Sequence, residues 1–291
     1  MLKPKGIITP IVTPMNDDES INEAELRVQV NRLINSGVYG LFPLGTNGEV
    51  YALSLEEKIE VMKIVVDETK GRVPVYAGTG CISTNETIAL SKKAQEIGVD
   101  ALSIVSPYFV AVSQDDLYRH FSKIAEAVSL PIILYNMPAR TGNNIEYTTI
   151  SKLTKYENIV AIKDSSGNFD NTLRYIENTD RRLSVLAGND SLILWTLLAG
   201  GCGAIAGWSN VYPELLISIY KLWEKGNITE ANIRQGSIRP LRDIMKLGNP
   251  NSVVKRAMNL LGYKVGPARE PASGINPKID EALLKAFQLY K

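Results

Sequence analysis

Short apolar runs alternate with longer amphipathic stretches along most of this 291-residue chain. The apolar runs predict β-strands, and their continuity is typical of parallel strands that are covered on both faces. Eight such runs, each followed by room for a helix, predict an α/β fold, the (β/α)8 TIM barrel. The runs are Gly6–Pro14, Gly40–Gly45, Val73–Gly80, Ala101–Pro107, Pro131–Asn136, Ile159–Ser165, Leu183–Gly188 and Gly203–Gly207.

The stretches between these runs predict helices. Ile21–Ser36 places its apolar residues on one face, and Ser54–Lys70 opens with a capping box before an apolar periodic run. Val211–Gly226 is the predicted eighth helix, and further helical patterns follow it. We therefore predict a barrel over residues 1–226 and a C-terminal helical extension over residues 227–291.

An open, doubly wound α/β sheet is the rival architecture. It also alternates strands with helices, and it binds ligands at the carboxyl ends of its strands. The pattern favours the barrel because the chain carries eight strand–helix units and no Gly-x-Gly-x-x-Gly follows a strand.

Composition narrows the class of protein. Apolar residues make up 45% of the chain, which indicates a sizeable core, and the 32 basic and 31 acidic residues nearly cancel. A nucleic-acid binder or a polybasic membrane binder would carry a basic excess, and no run approaches the roughly 18 apolar residues of a membrane span. Only Cys81 and Cys202 are cysteines, so a disulfide framework is not expected and a reducing cytoplasm fits.

Histidine chemistry is scarce. His120 is the only histidine, which weakens any proposal of a zinc site or a Ser-His-Asp triad. Its place in the middle of a predicted helix favours an ordinary surface side chain. A catalytic Cys81 would need a nearby base such as histidine, and the chain has only one histidine.

The strand ends carry the candidate chemistry, because barrel active sites lie at the carboxyl ends of the strands. Lys163 ends the apolar sixth strand, where an amine with a lowered pKa could attack a carbonyl, although a lysine that has emerged into solvent fits equally well. Tyr135 ends the fifth strand and should neighbour Lys163. It is either a proton shuttle or a capping tyrosine.

Two glycine-rich loops should face the same site. Gly45–Glu49 could present backbone N–H groups, a hydroxyl from Thr46 and an amide from Asn47 to a carboxylate, but its sequence is also ordinary turn chemistry. Gly188 begins a second such loop, after the seventh strand.

Together these residues resemble the dihydrodipicolinate synthase / N-acetylneuraminate lyase family of Schiff-base-forming class I aldolase barrels. The resemblance covers nearly the whole chain. Its motifs, in this order and spacing, are much more specific to the family than to one member. They are Ile11–Pro14, Gly45–Glu49, Ala77–Gly80, Ser106–Tyr108, Tyr135–Gly142, Ile162–Asp164 and Gly203–Ile205.

The resemblance implies a role for each matched residue. Lys163 is then the Schiff-base lysine and Tyr135 the proton-transfer phenol. Thr46 and Asn47 fall where members bind the carboxylate of the 2-oxo acid, and Thr46 is also counted among the catalytic residues. Ile205 falls where a backbone carbonyl lines the site. Members are lyases that join pyruvate to an aldehyde or run the reverse cleavage. They need no metal or organic cofactor, and they are typically homotetramers built from two barrel dimers.

Features of the chain point to different members. Arg140 resembles the synthase arginine that binds the carboxylate of aspartate semialdehyde, and a guanidinium suits that task. Asn47 and Asp164 depart from the synthase pattern, and the aspartate is more usual in 2-keto-3-deoxy-sugar-acid and hydroxy-oxoglutarate aldolases. Phe109 stands where the family has a relay tyrosine that reaches across the dimer, and losing a proton-transfer group costs on the order of 10²-fold.

We therefore expect the dihydrodipicolinate synthase reaction of lysine biosynthesis or that of a close paralogue. The second expectation is an aldolase for a 2-keto-3-deoxy-sugar acid, 4-hydroxy-2-oxoglutarate or N-acetylneuraminate. An inactive barrel that binds a 2-oxo acid is opposed by the intact Lys163 and Tyr135. A phosphate-binding barrel enzyme is opposed by Gly188–Asp190 and Ala206–Trp208, which are poor phosphate loops.

Overall fold

Eight strands form the centre of the computed structural model, which describes residues 2–179, 182–272, 274 and 276–290. Neighbouring strands pair in parallel in the order β2-β1-β8-β7-β6-β5-β4-β3, and a parallel bridge between Leu41 and Val75 closes the ring. The closed order confirms the predicted (β/α)8 barrel and excludes the open sheet. The strands are β1 Gly6–Thr9, β2 Gly40–Leu41, β3 Tyr76–Gly78, β4 Ala101–Val105, β5 Ile132–Asn136, β6 Ile159–Asp164, β7 Ser184–Ala187 and β8 Gly203–Ile205.

Several strands end earlier than predicted. β1 stops at Thr9 rather than Pro14 because Pro10 has no N–H to donate to a ladder. β2 stops at Leu41, and Leu44 adopts left-handed backbone with φ 60°. The residues past these ends form loops on one face of the barrel. The apolar runs therefore include both the strands and the first residues of the loops that follow them, so the predicted strands were too long.

Helices surround the barrel and continue beyond it. The predicted capping box of α2 is present, since the Ser54 hydroxyl accepts from the Glu57 N–H and the Glu57 side chain accepts from the Ser54 N–H. The helices of the described residues are α1 Glu23–Asn35, α2 Leu55–Thr69, α3 Thr84–Ile97, α4 Gln114–Ala127, α5 Pro138–Thr141, α6 Tyr147–Leu153, α7 Phe169–Glu177, α8 Ile193–Leu198, α9 Pro213–Glu224, α10 Ile228–Ser237, α11 Arg239–Ile244, α12 Pro250–Leu260 and α13 Pro277–Phe287.

Two apolar clusters make the core. A small cluster fills the inside of the barrel and includes Ile8, Phe42 and Ile133. A large cluster lies between the strands and the helices, and it also takes in Val254 and Leu283 from the C-terminal helices. The barrel and the residues after 226 therefore share buried apolar surface, and their division into two domains stays a prediction.

The C-terminal helices pack onto the barrel. α10 lies against α8 and α9, and α12 contacts the turn Gly207–Asn210 that follows β8. This contact brings the extension to the face of the barrel where the strands end. Within the ranges given above, no helix is both long and apolar enough to span a bilayer.

Candidate active site

A cavity of about 150 Å³ lies at the carboxyl ends of the barrel strands. The structure brings all the residues that we predicted for catalysis and substrate binding to this cavity, and their roles stay predictions. They are Thr46, Asn47, Tyr135, Arg140, Lys163, Gly188 and Ile205. Since they come from five strand ends and their loops, the barrel assembles them from distant parts of the sequence.

Lys163 and Tyr135 lie side by side, as their strand positions predicted. Parallel pairing of β5 with β6 sets Tyr135 directly opposite Lys163. Both side chains are about 95% buried, and the ammonium Nζ lies 3.8 Å from the centre of the Tyr135 ring and 5.2 Å from that of Phe42. Lys163 therefore stays in the barrel mouth, and the alternative of a solvated lysine is wrong.

Tyr135 links the amine to the turn after β2. Its hydroxyl lies 3.3 Å from the Thr46 hydroxyl. Burial raises the pKa of Tyr135, but the neighbouring Lys163 charge and side-chain hydrogen bonds with Thr46, Lys163 and Ser165 outweigh it, so the pKa is lowered overall. A phenol that gives up its proton more readily, next to an amine, is suited to proton transfer.

Two glycines keep the cavity open. A β-carbon on Gly188 would fall 1.9 Å from the Ser165 hydroxyl, and one on Gly207 would fall 2.9 Å from the Asn47 amide nitrogen. Any larger residue at position 188 would displace the loop after β6 or that after β7. Gly188 therefore allows the loops after β6 and β7 to approach each other closely beside the cavity.

A buried ion pair fixes the turn Gly45–Glu49. Glu49 has left-handed backbone with φ 56° and no solvent exposure. Its carboxylate lies 2.5 Å from Nζ of Lys255 in α12 and accepts from the Arg269 N–H at 2.7 Å. Lys255, which is 1% exposed, also donates to the Pro267 carbonyl at 2.8 Å. The C-terminal extension thus anchors the loop that carries the predicted carboxylate-binding residues.

Asp164 holds the loop after Lys163 and does not line the cavity. Its carboxylate is buried and accepts from side chains of β5 and α7 and from its own loop, which satisfies both oxygens. The donors are Asn136 Nδ2 at 3.1 Å, Ser166 N at 3.0 Å, Ser166 Oγ at 3.0 Å, Asn171 Nδ2 at 3.2 Å and Thr172 Oγ1 at 2.7 Å. The aspartate that we read as a clue to an aldolase is therefore a structural acceptor.

Arg140 and Phe109 lie at different places around the mouth. Arg140, on the short α5, is exposed and lines the cavity. Phe109 does not line it. The phenyl ring is 90% exposed, and its backbone has a positive φ of 76°. Position 109 therefore contributes no hydroxyl to the cavity of this chain.

The extension supplies residues that sequence reasoning missed. Arg242, Met245 and Asn251 line the same cavity, and the Asn251 amide donates to the Tyr51 hydroxyl at 2.9 Å. Their helical spacing did not reveal which helix would fold over the barrel mouth. Asp190, which we considered from the sequence only as part of a poor phosphate loop, is 99% buried, and its carboxylate accepts from the backbone of the turn after β8.

The single histidine was placed wrongly. His120 does lie in α4 but is 95% buried rather than on the surface, and burial lowers its pKa to about 4. Its Nδ1 lies 2.9 Å from the Thr84 hydroxyl, so it serves the packing of α4 on α3. Across the described residues, no group of three or more His, Cys, Asp and Glu side chains is placed to hold a metal ion.

Comparisons with known proteins agree with this geometry. The model of the dihydrodipicolinate synthetase family matches residues 3–289. The chain is 43% identical over 286 residues to a 4-hydroxy-tetrahydrodipicolinate synthase of Methanopyrus kandleri. The alignment covers 98% of this chain and 95% of the relative.

Solved structures resemble the whole barrel. The 4-hydroxy-tetrahydrodipicolinate synthase of Methylacidiphilum fumariolicum SolV superposes with a TM-score of 0.96 at 34% identity, over 99% of this chain and 96% of that one. YagE, a prophage protein of E. coli K12 determined in complex with pyruvate, superposes with a TM-score of 0.94 at 32% identity, over 98% of both chains. The similarity includes the C-terminal helices as well as the barrel.

Proposed function

This chain belongs to the dihydrodipicolinate synthetase family and is a lyase, and we propose that it condenses pyruvate with L-aspartate-4-semialdehyde, the 4-hydroxy-tetrahydrodipicolinate synthase reaction. One observation carries the proposal. The Lys163 side chain is buried, and its Nζ lies 3.8 Å from the centre of the Tyr135 ring. It forms no ion pair with a carboxylate of the described residues, unlike Lys255. A buried primary amine beside a phenol hydroxyl, with no carboxylate bound to it, is placed to attack a carbonyl carbon.

The chemistry follows from this pair. The Lys163 amine attacks C2 of pyruvate to form a carbinolamine, and the Tyr135 phenol donates the proton with which the hydroxyl leaves as water. The resulting iminium withdraws electrons, so C3 loses a proton and an enamine forms. The enamine carbon attacks the aldehyde carbon, and the new alkoxide takes a proton. Hydrolysis of the iminium, or attack by the acceptor's own amine, then frees Lys163.

The cavity favours small substrates. Its volume of about 150 Å³ lies below the roughly 300 Å³ at which sites for drug-sized ligands begin. A three-carbon 2-oxo acid and a short aldehyde suit this space better than the nine-carbon chain of a sialic acid. Arg140 at the mouth supports an acceptor that carries a carboxylate.

A second candidate uses the same Schiff base with a different aldehyde. Asn47, which departs from the synthase pattern, lines the cavity. Its amide can both donate to and accept from a hydroxyl, which favours a sugar-derived acceptor that carries hydroxyl groups. Asp164 adds no weight to this candidate, because its carboxylate is satisfied outside the cavity. An inactive binding barrel is disfavoured by the same Lys163–Tyr135 contact.

We also propose a cytoplasmic homotetramer built from barrel dimers. Ile82, Phe109 and Val110 are large apolar side chains left 43%, 90% and 46% exposed in one chain. Exposed apolar side chains on the segments that follow β3 and β4 support burial of these segments against a second copy of the chain. Small-angle scattering that gave a monomer at micromolar concentration would contradict this part of the proposal.

The test is pyruvate consumption by the purified enzyme with and without L-aspartate-4-semialdehyde. Rapid consumption that requires the semialdehyde, and that a Lys163→Ala variant lacks, would support the synthase. Borohydride trapping of pyruvate without consumption would keep the Schiff base and reject this acceptor. Absence of trapping would reject the function as a whole and favour the inactive barrel.

A further inference from the structure

Two arginines line the cavity, and they come from different parts of the fold. Arg140 comes from α5, after β5, and Arg242 comes from α11 of the extension. Arg242 is half-buried, and its Nη1 lies 3.4 Å from the Met245 sulfur of the same segment. Neither arginine forms an ion pair in the described residues, whereas Arg256 and Arg269 pair with Asp280 and Glu57 at 2.5 and 2.8 Å.

The protein does not neutralise these charges inside the cavity. Among the described residues that line the cavity, Asp190 is the one with a carboxylate. Its oxygens accept from the Gly207 N–H at 3.1 Å and from the Trp208 N–H at 2.9 Å. These bonds hold Asp190 against the turn after β8. With Lys163, Arg140 and Arg242 among its lining residues, the cavity attracts ligands that carry more than one negative group.

We propose that Arg242 is a substrate-binding residue that, together with Arg140, recognises the carboxylate of the aldehyde acceptor. This inference rests on the proposed Schiff-base function and names the acceptor class. Lys163 and Tyr135 hold pyruvate at the strand ends, so the carboxylate that reaches the helices above them belongs to the second substrate. A guanidinium binds a carboxylate through two parallel hydrogen bonds. The preferred acceptors are short aldehydes with a carboxylate rather than neutral, sugar-derived aldehydes.

The test compares two aldehydes of the same carbon count. Glyoxylate carries a carboxylate where glycolaldehyde carries a hydroxymethyl group. We expect Arg242→Gln to lower kcat/KM for glyoxylate and for aspartate semialdehyde by about 10- to 100-fold, mainly through KM, because a charged hydrogen bond is lost. The value for glycolaldehyde should stay within about twofold. Arg242→Lys should retain part of the selectivity, since it keeps the charge but not the planar fork.

A matched control lies on the same helix. Arg239 of α11 is exposed and lines a different cavity beside α8 and α10, so Arg239→Gln should leave both aldehydes unaffected. Exchange of the pyruvate C3 protons in deuterium oxide needs the imine but no acceptor. Unchanged exchange in Arg242→Gln would show that the variant is folded and that its Lys163 site is intact.

The exchange assay also separates the two proposals. If the wild type exchanges pyruvate protons but ignores aspartate semialdehyde, the proposed synthase falls while the glyoxylate-to-glycolaldehyde ratio still tests Arg242. If neither aldehyde reacts, their relative inhibition of the exchange supplies that ratio. An unchanged ratio in Arg242→Gln, an equal loss for both aldehydes, or a wild-type preference for glycolaldehyde would overturn the inference. Absence of exchange would overturn both proposals.

Discussion

Two lysines are buried among the residues that the structure describes, and their surroundings differ. Lys163 is the penultimate residue of β6, is 4% exposed and lies against the phenol ring of Tyr135 and the phenyl ring of Phe42. Lys255 sits within α12, is 1% exposed and lies 2.5 Å from the Glu49 carboxylate. Both amines have lost most of their contact with water. One borders a cavity that can admit a carbonyl, and the other borders a carboxylate and a backbone carbonyl.

The difference supports the proposal that Lys163 is the nucleophilic amine and that Lys255 is a structural one. Burial lowers the pKa of Lys255, and the attraction of Glu49 partly restores it, so the charged form is retained by its partner. Lys163 has no such partner among the described residues and faces a phenol that can exchange protons with it. Burial alone therefore does not identify a catalytic lysine; the identity of its neighbours does.

Replacing each lysine should give opposite results. Lys163→Ala should fold normally and lose activity by about 10⁴-fold or more, because the covalent intermediate and its acid–base chemistry are both removed. Pyruvate consumption and thermal unfolding measured on the same sample check this. A Lys163→Ala variant that kept even one hundredth of the activity would mean that the two lysines do not differ in the way described.

Lys255→Met should instead act on stability. It leaves the Glu49 carboxylate buried without its cation, which costs about 3–5 kcal/mol of unfolding free energy. Denaturant titration measures this loss, and the fraction that stays folded should still form the pyruvate adduct.

The matched control for this variant removes both charges. Glu49→Gln combined with Lys255→Met should recover a large part of the lost stability, because no isolated charge remains buried. If the double variant were as unstable as Lys255→Met alone, packing of the lysine side chain rather than charge pairing would explain its role.

Removing the phenol tests the neighbour that distinguishes Lys163. Tyr135→Phe keeps the ring and deletes the hydroxyl that lies 3.3 Å from the Thr46 hydroxyl. We expect kcat to fall by about 10²- to 10³-fold, with little change in stability, since a positioned proton-transfer group is lost. Stopped-flow measurement of imine formation locates the slowed step. An unchanged rate of dehydration would assign the proton transfer to another group.

The smallest effect is expected at the carboxylate beside Lys163. Asp164→Asn should cost about 1–3 kcal/mol of unfolding free energy, because charged hydrogen bonds to Ser166, Asn171 and Thr172 weaken. Imine formation should change by less than about tenfold. A loss of trapping comparable with that of Lys163→Ala would mean that Asp164 is the ionic partner of Lys163, as Glu49 is of Lys255.

The position of the proposed catalytic lysine, Lys163, could be predicted from the sequence, while the ion pair of Lys255 could not. Lys163 ends an apolar β-branched run, and strand order alone places it beside Tyr135. Lys255 pairs with a residue 206 positions away in the chain. No periodicity within α12 encodes that contact. For the same reason Arg242 was missed, because amphipathic spacing predicts a helix but not the part of the barrel that it covers.

Local rules also failed at loops and at one buried polar side chain. The predicted first strand continued past Pro10 because apolar residues follow it, yet proline ends the ladder. His120 was expected on the surface because it lies in the middle of a predicted helix, and the packing of α4 against α3 buries it instead. Strand identity and order were therefore predictable, whereas contacts between distant elements required the structure.

The most direct test of the account is the position of the pyruvate adduct. The wild-type protein is incubated with pyruvate, reduced with borohydride, digested and analysed by mass spectrometry. If Lys163 is the nucleophile, a single peptide is modified, the one that contains Lys163, and the Lys255 peptide stays unmodified. An adduct on Lys255 or on surface lysines with Lys163 unmodified, or no adduct at all, would contradict the assignment of Lys163 as the nucleophile.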